Sequence, residues 1–268
     1  MGRSCRTARM PTPTDLLRDD DPAPVRTLRD TGRSDFLLTA DHAGRAIPSS
    51  LNRLGVSESE LDRHIAWDIG IAGVTERLSA ALDATAVLQT YSRLVIDCNR
   101  DPSVASSIPE VSEATNIPGN LGLSAPARAA RRQAIFEPYH ARIRALLDAR
   151  QTAARRTVFV AMHSFTPFFK GESRAMQVGV LYNRDARLAS IMLDLLRDEG
   201  DLLVGDNAPY AVSDVTDYGV PVHAEKRGLS HVEIEIRQDL IADEAGQAEW
   251  AERFARLLRA ADARLRAS

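Results

Sequence analysis

Ser92-Arg93-Leu94-Val95-Ile96-Asp97-Cys98-Asn99-Arg100 is the stretch that decides how this chain is read. The apolar run Leu94 to Ile96 ends in Asp97, Cys98, Asn99 and Arg100, which predicts a buried strand that delivers an Asn-Arg pair to its C-terminal edge. In open α/β sheets that edge is where ligands bind. Arginine there presents a planar fork suited to a carboxylate, and asparagine adds a neutral donor. Arg93, at the start of the same run, adds a second cation. A plainer role for Arg100, capping a helix or pairing with an acid, competes on equal terms until the other strand ends are read.

Outward from this stretch, strands and helices alternate. Strands are expected at 35–40 (DFLLTA), 84–90, 157–161 (TVFVA), 177–181 (QVGVL) and 232–236 (VEIEI), with a short edge strand at 201–204. Ser57 with Glu60 three residues on carries capping-box chemistry, and a helix is expected from there to about Leu82, broken near Trp67. Amphipathic helices are expected over 125–150, 188–199 and 247–267. Two long irregular loops, 101–124 and 206–220, interrupt the pattern, and loops of that length are commonly functional. Strands alternating with helices imply an α/β fold with a mostly parallel central sheet covered by helices on both faces.

The bulk numbers set limits. At 268 residues, 44% hydrophobic and 26% charged, the chain has ordinary globular composition and is read as one domain over 25–268. Residues 1–24, rich in Pro, Asp, Arg and Thr, are expected to form a mobile tail, and Met10 is an alternative start. A net charge of −3 gives no reason to expect nucleic acid or an anionic membrane as partner, and no apolar run has the length of a span. The two cysteines, Cys5 and Cys98, form no disulfide framework, and no apolar segment follows the N-terminal arginines. A reducing, cytoplasmic setting is the expectation.

The predicted strand ends carry chemistry. They present His42, Asn99 with Arg100, His163, and Glu233 or Glu235, the last two sharing a face because strand side chains alternate. Two histidines with a carboxylate are the inventory of a catalytic zinc site that keeps an open position, with a further glutamate as proton carrier. No HExxH or CxxC spacing is present, so the reading rests on topology. His64 and Asp68 share one helical face, and either can be the third ligand or orient the other. Asp62 reads as a solvated first-turn acid. Asp97 is as well explained as a partner for Arg93 as by any catalytic task. Glu233 and Glu235 cannot both stay charged in a buried site without partners, and Arg237 is expected to pair with one of them. His140 is expected to bond from its helix to a loop, while His223 and His231, in or next to loops, read as residues behind the site or on the surface.

Together the stretches ADHAGRAIP (40–48), HIAWDIG (64–70), YSRLVIDCNR (91–100), PYH (138–140), HSFTP (163–167), GDNAPY (205–210) and HVEIEIRQDL (231–240) resemble the N-formylglutamate amidohydrolase family, itself similar to zinc carboxypeptidases and aspartoacylases. The resemblance implies a phosphorylase/hydrolase-like three-layer fold with a mixed sheet. It also implies a small-molecule N-acyl amino-acid substrate and a zinc ion, or another divalent metal, on His42, Asp68 and His163. Zinc carboxypeptidases carry a glutamate ligand three residues after their first histidine, and here that position is Arg45, so Asp68 is the expected displaced carboxylate with His64 as the alternative. By the same resemblance Asn99, Arg100 and His64 contact substrate, Arg93 polarises the scissile carbonyl, and Glu235 matches the general base better than Glu233. A non-catalytic binder of acidic small molecules and a carboxypeptidase-like hydrolase of another small amide are the competing readings.

Overall fold

The β-branched and aromatic runs of the sequence form the strands of the sheet. In the computed structural model, which describes residues 16–267, these are β1 (Val25–Leu28), β2 (Phe36–Ala40), β3 (Thr85–Gln89), β4 (Val111–Ser112), β5 (Thr115–Asn116), β6 (Val158–Phe165), β7 (Phe168–Phe169), β8 (Glu172–Ser173), β9 (Val178–Leu181), β10 (Val204–Asp206) and β11 (Ser230–Arg237). Seven of them make one sheet in the order β1-β3-β2-β6-β11-β9-β10, and β4-β5 and β7-β8 are separate two-stranded hairpins. Strands β3, β2, β6 and β11 run parallel. At one edge β1 is antiparallel to β3, and at the other β9 and β10 run against β11. The sheet is therefore mixed and mostly parallel, as expected.

Helices cover both faces. Helices α1 (Glu58–Leu61) and α2 (Ile71–Leu82) precede β3, α3 (Ala125–Arg131) and α4 (Glu137–Thr152) precede β6, and α5 (Arg187–Asp198) and α6 (Glu244–Ala267) complete the set. Alternation along the strands sorts the core in two. Leu38, Leu88, Val160 and Ile234 pack with α2, α5 and α6, while Leu37, Val87, Phe159 and Ala161 pack with α4 and the 91–98 segment. Because residues two apart share a face, His163, Glu233 and Glu235 all project to the second side.

The 92–100 stretch does not form the strand expected there. Leu94–Ile96 is buried, but it forms turns rather than a strand. The sheet position beside β3 that such a strand would take is filled by β1, which the sequence pattern did not reveal. The turn's backbone instead finds partners from afar: Asn120 Nδ2 donates to the Leu94 carbonyl at 2.9 Å, Arg131 to that of Val95 at 3.0 Å, and His140 Nε2 lies 2.9 Å from that of Cys98. Buried Arg131 also donates to Asn120 Oδ1 and the Gly119 carbonyl. Truncating it would leave buried acceptors unmatched at about 1–3 kcal/mol each.

Smaller differences follow the same logic. The helix expected from Ser57 to Leu82 stops after one turn and restarts at Ile71, because Gly70 sits at φ 81 and a Cβ there would lie 2.0 Å from the Ile241 carbonyl oxygen. The 125–150 helix runs to Thr152 but passes through a π-helical turn at 132–136. The 101–124 loop contains the hairpin β4-β5. Arg237 does not reach Glu233 or Glu235; it pairs with Asp239 at 2.8 Å. Within the stretch expected to be a tail, Leu16 is buried, Asp21 Oδ1 accepts from the Ser49 amide at 2.9 Å, and the Pro22 carbonyl accepts from the Tyr91 hydroxyl at 2.7 Å. Cys5 and Met10 lie outside the described residues. Cys98 is a buried free thiol, and no described helix is long and apolar enough to cross a membrane.

Candidate metal and active site

The loop after β2 carries His42. It is pressed so closely on the end of β3 that a Cβ at Gly44 would meet the Thr90 carbonyl oxygen at 1.9 Å. The segment before α2 carries Asp68, tied to that loop by its amide's bond to the His42 carbonyl at 3.0 Å. Strand β6 carries His163, and β11 sets Glu235 directly beside it in register. Four chain segments thus converge at the C-terminal end of the parallel strands, where ligands bind in such folds.

His42, Asp68 and His163 are all buried, and one ligating atom from each lies within 4.8 Å of the others. The carboxylate Oδ2 of Asp68 is 3.0 Å from His163 Nδ1 and 3.5 Å from His42 Nδ1. The other imidazole nitrogens have carboxylates behind them. His42 Nε2 lies 2.7 Å from Asp97 Oδ1, and His163 Nε2 lies 3.8 Å from Asp41 Oδ2. His42 Nδ1 is buried without a hydrogen-bond partner. With Nε2 donating to Asp97, that Nδ1 is left as a lone-pair acceptor aimed at the cluster. Imidazoles backed by carboxylates and joined by an aspartate are a donor set that suits zinc and related divalent ions. The cluster fits a metal ion.

Charge around the cluster is strongly coupled. Burial opposes ionisation of Asp97, but Arg93 and His42 outweigh it and hold the carboxyl well below its usual range. Burial likewise opposes the Asp68 carboxylate, and the two histidines overcome it. Burial disfavours an imidazolium at His163, yet the carboxylates of Glu233, Asp68 and Glu235 raise its pKa well above the ordinary value. Arg93 donates to Asp97 at 2.8 Å and lies 3.6 Å from Asp68. Tyr139 donates its hydroxyl to Asp41.

Glu235 and Glu233 are buried acids, each with an Oε2 that has no hydrogen-bond partner. Burial pushes Glu235 up to about 7 and Glu233 well above the carboxylate range. A carboxyl with a pKa near neutrality, buried beside a candidate metal cluster, has the properties of a proton carrier.

The cluster lies in a cavity of about 620 Å³ whose lining includes Arg93, Arg100, His64, Tyr210 and both glutamates. The Arg100 amide donates to the Asp97 carbonyl at 3.3 Å, and its side chain has no ion pair or hydrogen bond among the described residues. Asn99 differs from the expectation of a free donor. Its Oδ1 accepts from the amides of Tyr218 and Gly219, both at 2.9 Å, and its Nδ2 donates to Asp217 at 3.0 Å. It therefore braces the 217–219 loop against the site. His64 lies outside the metal cluster, 3.3 Å from Glu113 on the β4-β5 hairpin. Asp62 is exposed and paired with Arg45, so neither acts at the cluster.

His140 bonds to the Cys98 carbonyl, as expected. Of the two places expected for His223 and His231 the surface is excluded: His223 is buried with Nε2 2.8 Å from His140 Nδ1, and His231 is buried with Nδ1 2.9 Å from the Leu229 carbonyl. Sequence reasoning did not find Asp41 behind His163, although it precedes His42 directly. Nor did it single out Tyr210, whose hydroxyl accepts from Arg174 at 2.7 Å and whose ring stacks on that guanidinium at 4.7 Å. The quoted stretch GDNAPY held that signal.

Comparison with known proteins places this geometry. A family model described as N-formylglutamate amidohydrolase matches residues 34–242. The crystal structure of a gene product from Agrobacterium tumefaciens is similar at 38% identity and a TM-score of 0.91, over 94% of this chain and 99% of that one. The N-formylglutamate amidohydrolase from Ralstonia eutropha shares the fold with a TM-score of 0.67 at 18% identity, over 92% of this chain and 100% of that one. No curated protein matches the chain.

Proposed function

The chain belongs to the N-formylglutamate amidohydrolase family, a family of amide-cleaving hydrolases, and from that premise we propose that it is a zinc-dependent hydrolase of N-formyl or N-acyl amino acids. The observation that carries the reading is the buried His42–Asp68–His163 cluster with an unpartnered glutamate, Glu235, in register beside it. A divalent ion held by those three residues would polarise the amide carbonyl and lower the pKa of water.

The chain's own groups do the rest. Glu235, deprotonated, takes a proton from the attacking water. The water oxygen bonds to the acyl carbon, the C–N bond breaks, and Glu235 returns the proton to the departing amine. Arg93, fixed by Asp97, faces the charge that builds on the carbonyl oxygen, a kind of stabilisation worth about 3–4 kcal/mol when a single donor is removed elsewhere. Arg100 holds the amino acid's carboxylate. Asn99 keeps the adjoining loop in place through Tyr218 and Gly219. Asp97 orients His42.

A non-catalytic binder of acidic molecules would use Arg100 but has no need of a buried, unpartnered Glu235, so hydrolysis is the better reading. The test is formate release from N-formyl-L-glutamate by the chain supplied with zinc, alongside acetate release from N-acetyl-L-glutamate. Turnover that chelation abolishes and zinc restores supports the proposal. No turnover on either amide or on longer N-acyl-L-glutamates, with zinc demonstrably bound, sinks it.

A further inference from the structure

The cavity around the cluster is larger than a formyl amino acid requires, and it does not end at the catalytic residues. Its volume of about 620 Å³ lies in the range that encloses a drug-sized ligand. A second chamber of about 490 Å³ shares His64, Glu113 and Lys170 with it. This chamber lies between the two small hairpins and has Ala114 on one wall and Phe168 and Gly171 on the other.

Two features define what the chamber takes. It has no free carboxylate, because Glu113 is held by Arg63 at 2.6 Å and by His64 at 3.3 Å, so a cationic group finds no partner there. Beside Arg63, His64, Glu113 and Lys170, its lining is the apolar Ala114, Phe168 and Gly171. Among the described residues six large hydrophobic side chains are exposed; Phe168 lines this chamber, and Val111 and Tyr210 line the adjoining cavity. Phe168 is 63% exposed at the tip of its hairpin. Apolar side chains gathered at one opening mark a binding surface, whereas singly scattered ones do not. Neither Arg93 nor Arg100 lines the second chamber; its cations are Arg63, held by Glu60 and Glu113, and Lys170, whose ammonium lies 5.3 Å from the Phe169 ring centroid.

We infer that the second chamber between the β4-β5 and β7-β8 hairpins is an acyl subsite, and that the preferred substrate is an amino acid N-acylated with an apolar chain of several carbons rather than with formyl. The inference rests on the amide-hydrolase reading and adds to it the class of the acyl group. Ala114 and Phe168 are its specificity-determining residues. Each methylene that leaves water for this chamber favours the longer chain, in binding and in the transition state alike.

The test uses the zinc-supplied chain with a series of L-glutamates carrying formyl, acetyl, butanoyl, hexanoyl or succinyl groups, followed by kinetics and by calorimetric binding. The expected result is a rise in kcat/KM from formyl to hexanoyl of at least about tenfold, with succinyl no better than acetyl. In Ala114→Trp, which fills the chamber, the hexanoyl-to-formyl ratio falls to near one, and Phe168→Ser lowers it in the same direction. A flat or falling series, a preference for succinyl, or a selectivity that follows the amino-acid side chain instead of the acyl group overturns the inference. If none of the amides is hydrolysed, the parent reading fails on its own. Calorimetry then still decides the subsite: affinity that grows with chain length in the wild type but not in Ala114→Trp supports it, and length-independent or absent binding overturns it.

Discussion

The ring centroids of His42 and His163 lie 5.1 Å apart, and so do those of His140 and His223. All four residues are buried on the same side of the sheet, yet the two pairs have opposite chemistry. His42 and His163 are surrounded by Asp97, Asp68 and Asp41, and against the cost of burial those acids and their neighbours raise both imidazole pKa values. His140 and His223 meet each other, a backbone carbonyl, Phe136 and Tyr218. Burial there meets no carboxylate; aided by His223 and Arg144 it holds His140 well below the usual value despite the Cys98 carbonyl, and aided by Arg144, Arg227 and Lys226 it brings His223 down to about 3. The first pair is edge to face at 66° and aims its Nδ1 atoms at one aspartate, while the second is stacked at 20° and is closed by its own hydrogen bonds. Spacing and burial therefore do not make a metal site. Carboxylates in front of and behind the rings make the difference.

The contrast can be broken most sharply at the proton carrier beside the first pair. Glu235→Gln is expected to lower kcat/KM by about 10²–10⁴-fold with bound metal unchanged, measured by steady-state kinetics and elemental analysis together. A smaller effect is expected behind the ring. Asp97→Ala removes the partner of His42 Nε2 and should weaken metal binding about 10–100-fold in a competitive chelator titration. Because Asp97 also fixes Arg93, kcat should fall even at saturating metal.

The second pair should respond in stability alone. His223→Leu leaves His140 Nδ1 buried without its partner and is expected to cost about 1–3 kcal/mol in denaturant unfolding, with metal affinity unchanged. Loss of metal from that variant would erase the distinction between the pairs.

Two pH dependences sharpen the contrast further. Glu235 must be deprotonated to accept the water's proton, so kcat/KM should rise with pH through about 7 and level off above it. His223 has the opposite character. Its folded-state pKa of about 3 lies below the unfolded value of about 6.5, so between these limits the unfolded chain binds the extra proton. Its contribution to stability is complete above the unfolded value and is lost as pH falls towards 3, at up to about 1.4 kcal/mol per pH unit. Unfolding curves of wild type and His223→Leu over that window should converge as the solution is acidified.

How much of this was legible in the sequence depended on what each feature needs. Strands β2, β3, β6 and β11 are runs whose composition and period fix them locally, so the parallel core and its C-terminal edge could be read directly. The Leu94–Ile96 run has the same composition as a strand, but its conformation is set by β1 and by distant donors, Asn120, Arg131 and His140, which no local pattern reveals. The residues of the candidate metal cluster were legible by type and place. The partners that separate a metal site from a structural histidine pair come from segments far apart in the chain: Asp97 meets His42 across 55 residues, and Tyr139 meets Asp41 across 98. For the same reason Asn99 reads as a ligand group in sequence and is a loop brace in space. The two hairpins that shape the mouth are strands of two residues each, too short to carry a period.

The account stands or falls on the claim that the carboxylate-flanked pair, and not the other, holds the metal. The most direct measurement is elemental analysis of zinc-supplied, dialysed protein for the wild type, His163→Ala and His223→Leu side by side. The account predicts one zinc per chain in the wild type and in His223→Leu, and none retained in His163→Ala. No zinc in the wild type, or zinc retained by His163→Ala but lost from His223→Leu, would contradict it.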